Sequence, residues 1–220
     1  MKKSKIFIAC DTTNINKIKK IIKNSQTTKI KIGYKFGLEF MNSKKGRPFV
    51  SKLKNKIIFV DLKLNDTVNT MLSTVKALKD LRINYLTVHI SSGLAALKAV
   101  KKVSGSTKII GVTTLTSLNN KDLRLIGYNK SVKNLVIHQA KLAKKAALDA
   151  LVCSPYEVSA VRRVFKKEII TPGVQIGKKN YDQKRSMEAT KVKSDWLVIG
   201  RAITRGNIKI NIENLEKKLS

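Results

Sequence analysis

The chain has 220 residues, 42% of them hydrophobic and 5% aromatic, and its 46 Lys and Arg against 14 Asp and Glu give a formal net charge of +32. That hydrophobic content excludes a disordered chain, and the length suits one domain, residues 1–220, with a single large core. The lysines run along almost every amphipathic segment (Lys17, Lys19, Lys20, Lys23; Lys98, Lys101, Lys102; Lys141, Lys144, Lys145). They do not gather in one patch interleaved with aromatics, so they read as solvated helix faces and no specific nucleic-acid partner is expected.

The first element follows Met1-Lys2-Lys3-Ser4-Lys5, a start that superficially resembles a secretory leader. Asp11 interrupts the apolar run Ile6-Phe7-Ile8-Ala9-Cys10 too early for a leader core, so residues 5–11 are a predicted strand. Further strand-length apolar runs fall at 28–33, 57–63, 85–90, 108–115, 150–154, 168–173 and 195–200. Between them lie amphipathic segments. Asn69 to Leu81 carries Met71, Leu72, Val75, Leu78 and Leu81 at helical spacing, and Ser131 to Leu148 does the same with Leu135, Ile137, Leu142 and Ala146.

Strands alternating with helices predict a parallel sheet, and eight of them predict a closed (β/α)8 TIM barrel. No linker or internal repeat divides the chain. No run approaches the roughly 18 apolar residues of a membrane span, so a soluble cytoplasmic protein with no membrane partner is expected. Cys10 and Cys153 each lie in a strand-like apolar run, which predicts buried thiols in a reducing compartment and neither a disulfide nor a metal pair.

Barrel enzymes keep their chemistry at the C-terminal strand ends. The polar residues predicted there are Asp11, Lys31, Asp61 with Lys63, His89, Thr116 and Ser117, Ser154, Thr171 with Gly173, and Gly200 with Arg201. Ser154 reads as a solvated strand end and His89 as a hydrogen-bonded structural imidazole. Asp61-Leu62-Lys63-Leu64-Asn65-Asp66 is different, because it brings a carboxylate and an ammonium to one face at the end of the buried run Ile57-Ile58-Phe59-Val60. Opposite charges withdrawn together from water are costly, and a reacting or tightly bound group is the usual reason to keep them.

These residues resemble the orotidine 5′-phosphate decarboxylase family. Asp61, Lys63 and Asp66 match its Asp-x-Lys-x-x-Asp signature, with Asn69-Thr70 following. Asp11, Lys31-Ile32-Gly33, Val88-His89, Leu115-Thr116-Ser117, Thr171-Pro172-Gly173, Asp182-Gln183 and Ile199-Gly200-Arg201 match further motifs in the same order along the whole chain. Related sugar-phosphate enzymes share the signature but carry a Mg²⁺-holding Glu on the second strand. Lys31 at that position would repel a divalent cation, so neither metal nor cofactor is expected.

The resemblance implies loss of CO₂ from C6 of orotidine 5′-phosphate to give uridine 5′-phosphate, with Lys63 as the proton donor. Asp61 would lie by the departing carboxylate and Lys31 would pair with Asp61. Asp11 and Lys31 would hold the ribose, while Thr116 and Ser117 would meet the pyrimidine edge. Asp66 and Thr70 would reach the site of a second subunit in a homodimer. Gly200, Arg201 and Gln183 would bind phosphate, beneath a lid over Val174 to Asp182 that contains Gly177 and Lys178-Lys179. The chain departs from the family pattern at Gln175, where Arg is usual, at Thr67-Val68, where Ile-Pro is common, and at Ser92, where Gly is frequent. A neutral Gln175 amide surrenders the charge and fork geometry of an Arg toward phosphate.

Overall fold

The computed structural model describes residues 4–175 and 187–219, apart from the side chain of Gln175. In chain order the strands are β1 (Lys5–Ala9), β2 (Lys31–Gly37), β3 (Ile57–Leu64), β4 (Tyr85–His89), β5 (Lys108–Val112), β6 (Ala150–Val152), β7 (Glu168–Thr171), β8 (Val174–Gln175), β9 (Met187–Glu188) and β10 (Trp196–Ile199). Strands β1 to β7 and β10 close a parallel barrel in the order β1-β10-β7-β6-β5-β4-β3-β2, and β8 pairs with β9 outside it. The (β/α)8 barrel expected from the alternation of elements is therefore present. Each predicted strand has its counterpart, although β2 runs to Gly37 instead of ending near Gly33.

The two-residue strand period sorts side chains between two cores. Ile6 and Ile8 of β1 join the layer between strands and helices, whereas Phe7 and Ala9 point into the lumen with Phe59, Tyr85, Ile110, Ile170 and Trp196. Phe7 stacks on Trp196 at 4.1 Å and meets Phe59 and Tyr85 edge-on. Gly33 makes room for this packing, since a Cβ there would lie 2.6 Å from the Phe7 ring. At the end where strands begin, Glu168 accepts from the Tyr85 hydroxyl at 3.0 Å and from the Lys108 ammonium at 3.0 Å, and pairs with Lys5 at 3.6 Å. Among the described residues the lumen is thus plugged at the end where strands begin.

Three even-numbered barrel positions share a clamp. Asn84, Asp149 and Asp195, each just before a strand, donate their backbone N–H to the carbonyl of Ile58, Ile109 and Ile169 respectively, at 2.9 to 3.1 Å. Their side-chain oxygens accept from the backbone N–H of the same three isoleucines at 2.7, 2.9 and 2.9 Å. Each clamp fixes the register at which one strand begins beside its neighbour, and satisfies an N–H that the ladder leaves over. In sequence the device reads Asn84-Tyr85-Leu86, Asp149-Ala150-Leu151 and Asp195-Trp196-Leu197.

The predicted helix over 69–81 is an α-helix at Val68–Ala77 followed by a 3₁₀ turn at Lys79–Leu81, and left-handed Arg82 ends it. The one over 131–148 spans Val132–Lys145, with the Ser131 hydroxyl accepting from the Asn134 N–H as N-cap. Cys10 and Cys153 are buried and form no disulfide, and burial pushes the Cys10 thiol up to about 12. Among the described residues no helix is long and apolar enough to cross a membrane.

Candidate active site

At the C-terminal end of the barrel four charged side chains, from β2, β3 and the segment just after β1, alternate in sign. Lys63 Nζ lies 2.9 Å from Asp61 Oδ2, Lys35 Nζ lies 3.5 Å from the same oxygen, and Lys35 Nζ lies 3.2 Å from Asp11 Oδ1. The side chains of Asp61 and Lys35 are 11% and 13% exposed, Lys63 is 33% exposed and Asp11 opens to solvent at 62%. Burial works to raise the Asp61 pKa, but the charges of Lys35 and Lys63 and the bonds from Lys63 and Thr87 outweigh it and hold the carboxyl below its ordinary range. Burial likewise works to lower the Lys35 pKa, and Asp61 and Asp11 outweigh it and raise it. Both groups therefore stay ionised at neutral pH.

The local backbone makes this cluster. Val60 pairs with Leu86 and Leu64 with Val88, so three residues of β3, Asp61 to Lys63, stand opposite the single residue Thr87 of β4. This bulge contracts β3 and brings Asp61 and Lys63 level with each other. Lys63 has φ of +49°, a left-handed conformation that costs a non-glycine residue on the order of 1–2 kcal/mol and is usual where surrounding structure enforces it. Thr87, 0% exposed, donates its hydroxyl to Asp61 Oδ1 at 2.9 Å and accepts the Lys63 backbone N–H at 2.8 Å.

A cavity of about 330 Å³ opens over the array. Asp11, Lys35, Asp61 and Lys63 line it together with Thr114, Thr116, Pro172, Gly173, Gly200 and Arg201. Gln139 Oε1 accepts both the backbone N–H and the hydroxyl of Thr114, at 2.8 and 3.2 Å, which leaves the Thr114 hydroxyl oxygen as an acceptor. Gly200 precedes a short helix, Arg201–Thr204, and its carbonyl accepts the N–H groups of Ile203 and Thr204. His89, half-buried, has its pKa lowered by burial first and then by the Lys63 charge.

Of the residues expected in the site, Asp11, Asp61, Lys63, Thr116, Gly200 and Arg201 line this cavity. Lys31 does not. It is the exposed first residue of β2, in register with Lys5 at the plugged end, and the ammonium beside Asp61 belongs to Lys35, two repeats of the strand pleat farther on. The cause is strand length, because Gly33 is an interior residue of β2 that accommodates Phe7 and does not end the strand. Ser117 is exposed and outside the cavity lining. Asp66 and Thr70 are also exposed, linked through Thr67: Asp66 Oδ1 accepts the Thr67 N–H at 2.6 Å, and the Thr67 and Thr70 hydroxyls lie 3.0 Å apart. That Thr67 backbone bond, followed by a bond to the Thr70 side chain, lowers the Asp66 pKa. Gln183, the Gln175 side chain and the loop between β8 and β9 lie outside the described residues.

Lys35, Thr87, Thr114 and Gln139 escaped the sequence reading. Lys35 could have been found in the alternation Tyr34-Lys35-Phe36, and Thr87 as the polar interior residue of Tyr85-Leu86-Thr87-Val88-His89. Gln139 is a buried amide on the inner face of its helix.

The model of the family described as Orotidine 5′-phosphate decarboxylase / HUMPS matches residues 4–209. The chain belongs to that family. Among family proteins, it is 41% identical over 220 residues to orotidine 5′-phosphate decarboxylase of Wolbachia sp. subsp. Brugia malayi (strain TRS), covering 96% of each chain. It is 38% identical to the protein of that name from Wigglesworthia glossinidia brevipalpis, covering 100% of this chain and 99% of the other. The barrel is similar to the crystal structure of orotidine 5′-phosphate decarboxylase from Lactobacillus acidophilus, with a TM-score of 0.84, 27% identity and coverage of 99% and 100%. Its fold is also that of the enzyme from Methanocaldococcus jannaschii complexed with the inhibitor BMP, at a TM-score of 0.80, 21% identity and coverage of 100% of both chains.

Proposed function

We propose that this chain is a cytoplasmic enzyme that converts orotidine 5′-phosphate to uridine 5′-phosphate, the last step of de novo pyrimidine nucleotide synthesis, without metal or cofactor. The observation that carries this reading is the Asp11, Lys35, Asp61, Lys63 array at the open end of the barrel, in a chain of this family. When the bond from C6 to the carboxylate breaks, its electron pair remains on C6 in an sp² orbital outside the ring π-system. Delocalisation stabilises that pair poorly, so charge supplied by the protein must do it.

Lys63 meets this need. Its ammonium stabilises the pair as it develops on C6 and then transfers one proton there, while CO₂ departs. Asp61 pairs with Lys63 and aims it, and it lies near the leaving carboxylate, where like-charge repulsion disfavours bound substrate relative to the transition state. Lys35 takes the part expected of Lys31: it holds Asp61 ionised and, with Asp11, reaches the ribose hydroxyls. The Lys35 ammonium between two carboxylates supports the metal-free reading, because the oxygen ligands a divalent cation would require there are already neutralised.

Thr116 serves the pyrimidine edge, joined by the Thr114 acceptor, whereas Ser117, expected beside it, lies outside the cavity lining. Gly200 and Arg201 bind the phosphate, with Gln175 and Gln183 as amide donors, in the position after the last barrel strands where such folds commonly bind phosphate. Asp66 and Thr70 act in the site of a second subunit, a role supported by their exposure away from the cavity of their own chain. The test is to incubate purified protein with orotidine 5′-phosphate in chelator and follow absorbance. Turnover is expected. Silence in chelator, with Mg²⁺-dependent turnover of a sugar phosphate instead, overturns the reading.

A further inference from the structure

We propose that Thr87 is a positioning residue that sets the geometry of both Asp61 and Lys63 through one buried hydroxyl. The inference rests on the reading above that these two residues carry the chemistry. Thr87 sits on β4 with its side chain in the lumen, level with Ile110 of β5, and is fully buried. Its single hydroxyl proton is committed to Asp61 Oδ1 at 2.9 Å, and its oxygen accepts the Lys63 backbone N–H at 2.8 Å. Asp61 Oδ2 is thereby turned to the other side, where it meets Lys63 Nζ at 2.9 Å and Lys35 Nζ at 3.5 Å.

The β3 bulge explains why such a residue is required. Opposite Thr87, the three residues Asp61 to Lys63 occupy the space that one residue fills on β4, so ordinary ladder bonds are missing over this stretch. The Lys63 N–H would have no ladder partner, and its left-handed φ of +49° has no glycine to relieve it. The Thr87 hydroxyl supplies the missing acceptor inside the lumen and holds the contracted backbone from which the Lys63 ammonium is aimed. One hydroxyl therefore couples the main chain of the proton donor to the carboxylate that pairs with its ammonium. A residue of the same shape without that hydroxyl would fill the space and do neither.

Thr87→Val and Thr87→Ser separate shape from hydroxyl. In Thr87→Val, kcat for orotidine 5′-phosphate should fall about 10- to 100-fold with KM changed by less than about twofold, since the hydroxyl acts on the reacting groups and not on ribose or phosphate. Thr87→Ser should stay within about threefold of wild type. The acid limb of the kcat profile should also move to higher pH in Thr87→Val and not in Thr87→Ser, because the bond from Thr87 helps keep Asp61 ionised. The other groups facing Asp61 are unchanged in both variants: Lys35 from β2 with Asp11, just after β1, behind it, Lys63 from β3, and His89 from β4. Wild-type kcat in Thr87→Val, or an equal loss in Thr87→Ser, overturns the proposal. If Thr87→Val does not fold, Thr87→Cys keeps the volume with a weaker donor, and it must fall between Ser and Val in kcat; wild-type kcat there overturns it equally. Exchange of the Lys63 amide proton, read by NMR without substrate, tests the backbone half alone. It should be at least tenfold faster in Thr87→Val or Thr87→Cys than in Thr87→Ser, and equal rates refute the proposal. A wild-type chain with no turnover would instead defeat the assigned function and leave the exchange result standing by itself.

Discussion

Exchanging Lys35 for Met keeps the apolar stem and removes the ammonium that bridges Asp61 and Asp11. At an effective dielectric of about 20, unit charges 3.5 Å apart attract by about 5 kcal/mol, and removing Lys35 returns part of this by sparing its own desolvation. The Asp11 arm adds less than about 1 kcal/mol, because that carboxylate is 62% exposed and screened. Asp61 keeps Lys63 and Thr87, so the loss belongs at the low end of that for an orphaned buried charge, about 3 kcal/mol in urea unfolding. If the same charge imbalance reaches the transition state, kcat/KM falls about 100-fold. Lys31→Met, on an exposed residue at the far end of β2, should stay within about 0.5 kcal/mol of wild type and keep its activity. The signs of the pH dependence also separate the groups. The folded pKa of Asp61 lies below its unfolded value of about 3.9, so its contribution is present above that value and is lost as pH falls through the folded one. Without Lys35 the folded pKa rises and the acid loss begins at higher pH. Lys35 itself is shifted above its unfolded value of about 10.4, so its contribution is present below that pH and is lost as pH rises through the folded value, a decline the variant lacks. Equal effects of the two substitutions, or less than about 1 kcal/mol from Lys35→Met, would refute the idea that Lys35 neutralises Asp61.

Lys63→Ala and Asp66→Ala should each be inactive alone, whereas mixing them should restore about a quarter of wild-type activity if subunits reassort at random and sites are shared; no recovery in demonstrated hybrids argues against Asp66 acting in trans. His89 has a folded pKa below its unfolded value of about 6.5, so urea stability should drop as pH falls from 7.5 to 5, and His89→Gln should flatten that slope; an unchanged slope places the titration elsewhere. Asp149→Ala leaves the Ile109 N–H unsatisfied and also removes the Lys101 contacts at 2.7 and 2.8 Å, for a loss of about 2–3 kcal/mol. Asp149→Asn preserves the acceptor, as Asn84 does in its own clamp, and should lose no more than about 1 kcal/mol by the same unfolding assay; identical losses would mean that the ion pair, not the N–H bond, carries the clamp.

The barrel was legible because each strand is a short apolar run and each helix carries a stripe of apolar residues, and those two periods say where elements lie. They do not say where a strand stops. In β2 the pattern Ile30-Lys31-Ile32-Gly33 reads as a finished strand, and only the Phe7 ring, contributed by another strand, shows why Gly33 belongs in the middle. Lys31 and Lys35 lie on the same face four residues apart, so the error in length moved the expected cation from one end of the barrel to the other. Asp61 and Lys63 were legible as a pair because charge at the end of an apolar run has no structural use. The bulge that levels them was not, since the partner of its Lys63 N–H is a hydroxyl on another strand, β4. Thr114 and Gln139 were hidden for the same reason: their pairing crosses 25 residues and leaves no local pattern.

Among the described strands, broken register is confined to one end of the barrel, and the regular pairing at the other makes that tolerable. Where the strands begin, three clamps fix register, aromatic rings fill the lumen, and Glu168 is matched by Lys5, Lys108 and the Tyr85 hydroxyl. Among the described strands the parallel register is unbroken there. Where the strands end, β3 bulges, Lys63 adopts a left-handed conformation and two nearly buried charges, Asp61 and Lys35, face each other. A strained residue persists only where its surroundings over-determine it. Slippage of β3 by one residue would release Lys63 but would turn Phe59 out of the lumen aromatics, and it would oppose the Ile58 bonds to Asn84 on both its N–H and its carbonyl. The packing and clamp at the closed end therefore hold the conformation of the open one, and the Asp61, Lys63 geometry depends on residues where the strand begins.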